Sequence, residues 1–229
     1  MVDRGQIEVT VRRTATGMSK GVERESAETG RLIALSDGVF AIVITLLVLE
    51  ITVPTLPPGA STSDLPSLVV EQWQEFFGYV LSFLVIGLYW ILHRRVFAYV
   101  DRHDRPLLWL NLLFLLVVGF LPYATAMFST YPGRFGVMFY AGAQALTGFV
   151  LATTWAYAAR KDLVAEGLTS RLVGIQAARF VASPLVFLLS MGVALADPLL
   201  AIATWVLLVP VTAFFETRTT AEIERIRQR

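Results

Sequence analysis

The stretch RLIALSDGVFAIVITLLVLEITV occupies residues 31–53, and after Arg31 its only ionisable side chains are Asp37 and Glu50. A bilayer's hydrocarbon core is about 30 Å thick and takes roughly 20 apolar helical residues to cross. This stretch meets that length, and five further blocks repeat the pattern. Residues 76–92, 107–131, 135–159 and 198–215 carry no charge, and residues 172–196 carry only Arg179. In lipid every backbone N–H and C=O must be paired within the structure, which favours helices. A β-barrel would alternate polarity in segments of about 10 residues, and these blocks do not alternate. The chain is expected to be all-α, a polytopic membrane protein. Its six transmembrane helices are expected over about 31–53, 73–99, 107–128, 135–159, 173–195 and 198–216. The last two turns of the second, from His93 onward, are expected to protrude into water.

Composition points the same way. Of 229 residues, 55% are hydrophobic and 16% charged, and the mean hydropathy is +0.63. Soluble domains run nearer a quarter charged, so a soluble enzyme is nearly excluded. Disorder needs low hydrophobicity and is excluded too. The absence of Cys removes disulfides, thiolate metal sites and Cys nucleophiles. With two His in the chain, neither a resident metal nor a cofactor is expected. No HExxH and no paired intramembrane aspartates occur, so an intramembrane enzyme is not expected.

Orientation follows from Lys and Arg. Residues 1–31 hold six, residues 93–106 four, residues 160–171 three and the segment from Glu216 onward four. The alternate loops hold Arg134 alone, a split of 17 to 1 with Arg179 inside a helix. Both termini are expected to be cytoplasmic and the protein to reside in the cell membrane. Residues 1–30 read as a polar cytoplasmic tail without a signal peptide. Residues 31–216 read as the membrane domain, and residues 217–229 as a basic cytoplasmic tail.

The first helix is unusual. Asp37 lies about two turns into the apolar run, and ionisable residues there usually face protein or water rather than lipid. An interfacial Asp37 that merely orients the helix is the competing reading. Gly38, Ile42, Thr45 and Leu49 are spaced four, three and four, and share one stripe with Leu46 on its flank. An Ile/Leu stripe is ordinarily helix packing, so spacing alone does not make it a pore.

The wider pattern shifts that weighing. Arg31, then Leu35-Ser36-Asp37 and the apolar continuation to Glu50, resembles the first-helix signature of the prokaryotic members of the transmembrane protein 175 potassium-channel family. That signature reads Arg-x-x-x-Phe-Ser-Asp; Leu35 departs from it. Tyr89-Trp90 with His93-Arg94-Arg95 resembles the end of that family's second helix. Trp109-Leu110-Asn111 and Phe120-Leu121-Pro122-Tyr123 resemble its third.

The resemblance implies a homotetrameric, potassium-permeable cation channel whose first helices line a central pore. It implies a hydrophobic constriction at Ile42, Leu46 and Leu49, with Thr45 as a hydroxyl ring. It also implies a structural polar network of Arg31, Ser36 and Asp37, for which His93, Trp90 and Asn111 are expected partners. Glu50 is expected at the outer mouth, or else facing headgroups. The expected partners are K⁺ ions, membrane lipid and further copies of the chain, not nucleic acid. A secondary cation transporter, with proton coupling through Asp37 as one form of it, is the alternative.

The remaining features have bland expectations. Arg179 is expected to snorkel, and Pro122, Pro184 and Pro210 to kink helices. Gly136, Gly142 and Gly148 suggest close helix packing. Arg94, Arg95, Arg102 and Arg105 read as a basic patch that contacts anionic headgroups.

Overall fold

In the computed structural model, residues 29–228 are described; most of the expected N-terminal tail, 1–30, lies outside them. Among the described residues six helices are long and apolar enough to cross a membrane, as expected. They are α1 (Thr29–Glu50), α2 (Trp73–Ala98), α3 (Arg105–Thr130), α4 (Arg134–Arg160), α5 (Ser170–Ala194) and α6 (Pro198–Arg227). A short helix, Leu65–Glu71, precedes α2.

The helix ends follow local chemistry. Asp104 caps α3 by accepting from the Leu107 amide at 2.9 Å, with Pro106 in the first turn. Thr169 caps α5 through the Leu172 amide at 3.2 Å. Asp197 caps α6 through the Leu199 and Leu200 amides at 2.7 and 3.1 Å. At its far end α1 tightens into a 3₁₀ turn, Leu47–Glu50, and stops three residues before the expected 53. Pro54 disfavours helix at Val53. Thr52 is also held by α2, since its amide donates to Glu75 Oε2 at 2.8 Å and its carbonyl accepts from Gln72 Nε2 at 2.6 Å.

The helices α3 and α5 run through Pro122 and Pro184. A 3₁₀ turn, Trp205–Leu207, interrupts α6. Pro210 lacks the N–H that would bond the Val206 carbonyl, which favours a break there. Beyond residue 216 the helix continues to Arg227.

The core of the chain is α4, whose most apolar window is 61% buried, against 22% for α1 and 17% for α6. Gly148 receives Pro184 of α5: a Cβ there would lie 2.8 Å from Pro184 Cδ. Of the other glycines expected to pack helices, Gly136 faces the Tyr131 carbonyl preceding its own helix, and Gly142 meets Met191 only at ordinary contact distance. Trp205 docks α6 against Phe128, Tyr140 and Phe187, with ring centroids 5.6, 5.1 and 6.0 Å away. A buried polar chain crosses the bundle. Thr125 donates to Ser82 at 2.8 Å, Ser82 donates to the Tyr140 hydroxyl at 3.1 Å, and the Tyr89 hydroxyl donates to the Gln144 carbonyl at 2.6 Å.

The basic-end loops are tied together by an isolated bridge between Val100 and Val164 and by Ala165 N donating to Tyr99 O at 2.9 Å. Under this tie His93, Val96 and Phe97 are buried while Arg94 and Ala98 stay exposed, so one face of the last turns of α2 is packed in protein.

Candidate functional site

The helix α1 has two faces of opposite character. Leu32, Ser36, Phe40, Val43 and Leu47 are buried, at the three- and four-residue spacing of one helical stripe. On the opposite side Ile42, Leu46 and Leu49 are 60%, 41% and 71% exposed, and Gly38 and Thr45 are exposed beside them. The expected pore positions thus lie on the broad part of α1 that this chain leaves uncovered, which also carries Leu35 and Val48.

Thr45 has a specific orientation. Its hydroxyl donates back to the Ala41 and Ile42 carbonyls at 3.0 and 2.8 Å. The proton is committed to the helix, while the oxygen lone pairs stay available. Such a group can face a cation and has no proton left for an anion. Glu50, half-buried, closes the last turn of α1.

Five of the six residues expected in the polar network sit at the seam of α1, α2 and α3. Trp90 Nε1 donates to Asp37 Oδ1 at 2.7 Å. Ser36 donates to the Leu32 carbonyl at 2.9 Å and accepts from Asn111 Nδ2 at 3.2 Å. The Asn111 Oδ1 then faces His93 Nε2 at 2.8 Å. Because the Asn111 amide nitrogen is spent on Ser36, the proton between Asn111 and His93 must belong to His93, which assigns its Nε2–H tautomer. Ser36, His93 and Asn111 are all buried.

Arg31, the sixth, stays outside. It is exposed and makes no hydrogen bond or ion pair among the described residues. At 100° per residue it lies roughly 140° around α1 from Ser36, away from the seam.

Aromatic rings support the same seam. His93 stacks on Phe114 with centroids 5.2 Å apart and planes 6° from parallel. Phe97 and Phe40 approach it at 4.7 and 5.9 Å. Sequence reading did not single out these rings, yet Phe40 lies four residues past Ser36 on the buried stripe. Arg94 lies over the Trp90 ring at 5.1 Å.

Glu216 escaped the sequence reading as a partner for Arg179. Arg179 does not snorkel: it is 5% exposed and meets Glu216 of α6 at 2.7 Å. The same carboxylate takes Arg95 of α2 at 2.9 Å. Glu216 ends the uncharged run of α6, so its place at a span boundary was the available signal. The four-arginine patch is also dispersed. Arg95 is paired with Glu216, Arg94 covers Trp90 and Arg102 Nη2 bonds the Asp162 carbonyl at 3.1 Å. Among the described residues no group of three His, Cys, Asp or Glu side chains could hold a metal.

Comparison with known proteins places these elements in a family context. Residues 31–122 match the family described as endosomal/lysosomal potassium channel TMEM175, and that stretch contains the α1 stripe and the whole polar seam. A potassium channel of Streptomyces collinus is 51% identical over 105 residues, 45% of this chain and 49% of that protein. The chain thus spans about half of that relative's length. A potassium channel of Chamaesiphon minutus is 39% identical over 142 residues, 60% of this chain and 70% of that protein. The crystal structure of a lysosomal potassium-selective channel TMEM175 homolog from Chamaesiphon minutus matches at a TM-score of 0.70 and 30% identity, covering 84% of this chain and 98% of that one.

Proposed function

The chain belongs to the TMEM175 family, and on that premise we propose that it is a potassium-permeable cation channel. Four copies assemble around an axis, and α1 of each lines the pore. The observation that carries this reading is the uncovered face of α1. It is not a uniform lipid-facing surface, since it combines Ile42, Leu46 and Leu49 with Gly38 and with a Thr45 hydroxyl whose lone pairs are free.

In this arrangement Ile42, Leu46 and Leu49 form apolar rings that restrict water at the neck. Ile42 is the narrowest ring, and Thr45 offers oxygens next to it that replace part of an ion's hydration shell. A larger, less tightly hydrated ion loses water at lower cost, so K⁺ passes the neck more readily than Na⁺. The expected selectivity is modest. Glu50 adds a carboxylate ring at the outer mouth. The Ser36–Asn111–His93 chain and the Trp90–Asp37 bond hold the pore helix against its own subunit, a supporting role rather than a catalytic one. With seventeen Lys and Arg against one on alternate sides, both termini are assigned to the cytoplasm and the protein to the cell membrane.

Asp37 lies roughly 140° around α1 from Ile42 at 100° per residue, so a proton-coupled transporter centred on it would not use the same face. Purified protein in liposomes under a potassium gradient tests the proposal. Potassium efflux with unitary currents is expected, and Ile42→Asn should raise it by hydrating the neck. Slow, saturable flux without unitary currents would favour the transporter.

A further inference from the structure

A groove of about 820 Å³ lies between α3 and α4 at the basic end of the bundle, inside the roughly 300–1,000 Å³ of ligand sites. Trp109, Leu110 and Leu113 of α3 form its apolar floor, with Thr153 of α4 opposite. Arg105, Arg160 and Lys161 line the same groove. They reach it from separate places: Arg105 opens α3, Arg160 closes α4 and Lys161 follows it. All three are exposed, and none has an ion-pair partner among the described residues. The carboxylate of Asp104, beside Arg105, is engaged elsewhere. It accepts from the Leu107 amide at 2.9 Å and from the Tyr157 hydroxyl at 2.6 Å, which also closes the α3 N-terminus to another anion. Asp162 follows Lys161 on the exposed loop but does not line the groove.

We propose that this groove is a binding site for one anionic phospholipid. The phosphate sits among Arg105, Arg160 and Lys161, and an acyl chain lies along Trp109, Leu110 and Leu113. Charge decides the lipid class. Basic pockets between membrane helices select anionic headgroups, whereas a zwitterionic lipid would bring its ammonium against three cations. The apolar floor decides between lipid and free phosphate, because a soluble anion would leave Trp109, which is 72% exposed, without cover. The site is separate from the α1 face and stands whether or not that face conducts.

Trp109 supplies the readout. The full-length protein is placed in phosphatidylcholine bilayers containing increasing fractions of brominated phosphatidylglycerol or brominated phosphatidylcholine. The fluorescence lost from the wild type is compared with that lost from Trp109→Phe, which isolates Trp109 from the other tryptophans. The Trp109 share should be half-quenched at about ten-fold lower fraction of the anionic lipid. Arg105→Gln/Arg160→Gln/Lys161→Gln should abolish that preference. Thr153→Phe, which fills the groove and keeps every charge, should weaken it too. Millimolar inorganic phosphate should leave it in place. Equal quenching by the two lipids in the wild type would overturn the proposal without any variant having to fold. A preference unchanged by Thr153→Phe would overturn it in favour of diffuse surface charge. Absence of quenching by either lipid would overturn it in favour of a second copy covering the groove.

Discussion

Trp90 Nε1 on α2 donates to Asp37 Oδ1 on α1 at 2.7 Å, and this bond joins the first helix to the second, one residue along from Ser36. The buried stripe Ser36, Phe40, Val43 and Leu47 then turns Ile42, Thr45 and Leu49 outward. What holds α1 therefore also sets which of its side chains are presented.

Removing that donor without removing the ring isolates its contribution. Trp90→Phe keeps the apolar surface and the platform under Arg94 but leaves Asp37 without its indole partner. A hydrogen bond to a charged group contributes about 1.5–3 kcal/mol, and partial exposure of the site places the expected loss near the lower end. Chemical unfolding in detergent reads it; a change below about 0.5 kcal/mol would show that Asp37 is satisfied by solvent.

The Ser36–Asn111–His93 chain should behave as a unit. Asn111→Leu strands a buried His93 N–H, so a cost of about 2–3 kcal/mol is expected. Ser36→Ala removes a donor to the Leu32 carbonyl and also the acceptor of the buried Asn111 Nδ2–H, and should cost about 1–3 kcal/mol. Combined, the two should fall short of additivity, because they share a bond. Strict additivity in a double-mutant cycle would contradict the 3.2 Å contact between them.

Glu216 serves two arginines from two helices. Glu216→Gln leaves Arg179 charged and almost enclosed. Breaking a buried pair costs about 3–5 kcal/mol, but the Glu216 side chain is 50% exposed, and solvent screening lowers the expectation to about 1–3 kcal/mol. Arg95→Gln, which leaves the Arg179 pair intact, should cost under about 1 kcal/mol. Thermal unfolding of the two variants checks the order, and a larger loss from Arg95→Gln would reverse the assignment.

Six helices were legible because lipid imposes length and charge exclusion on every span, but the far end of α6, expected at 216, was not, since the helix continues to Arg227. The seam was legible in part. Ser36, Asp37, Trp90, His93 and Asn111 are polar groups in apolar runs, and burial obliges such groups to find one another. Arg31 shares the motif but not the seam, because six residues carry it to another face of α1. Glu216 was not legible as a partner of Arg179: pairing between positions so far apart in sequence depends on how α6 docks through Trp205, which no local pattern encodes. The groove at Arg105, Arg160 and Lys161 was equally hidden, since it joins the start of α3 to the end of α4, which long-range contacts such as the Val100–Val164 bridge and the Tyr157–Asp104 bond bring side by side.

Thr45 separates a solvating ring from a merely apolar neck. Thr45→Val preserves shape and removes the oxygen, so potassium flux should fall several-fold. Thr45→Ser keeps the oxygen and should retain most of it. Equal flux from Val and Ser variants in liposomes would remove the hydroxyl from the permeation path.

The most direct measurement uses the natural absence of cysteine. Ile42→Cys introduces a single thiol on the uncovered face of α1, and the parent chain serves as an unreactive control. Potassium flux from liposomes is recorded before and after a small, water-soluble, positively charged thiol reagent, with labelling quantified on the same sample. If Ile42 lines the path, flux through Ile42→Cys falls by most of its value while the parent is untouched. Full labelling with unchanged flux would place the conduction path elsewhere than the α1 face.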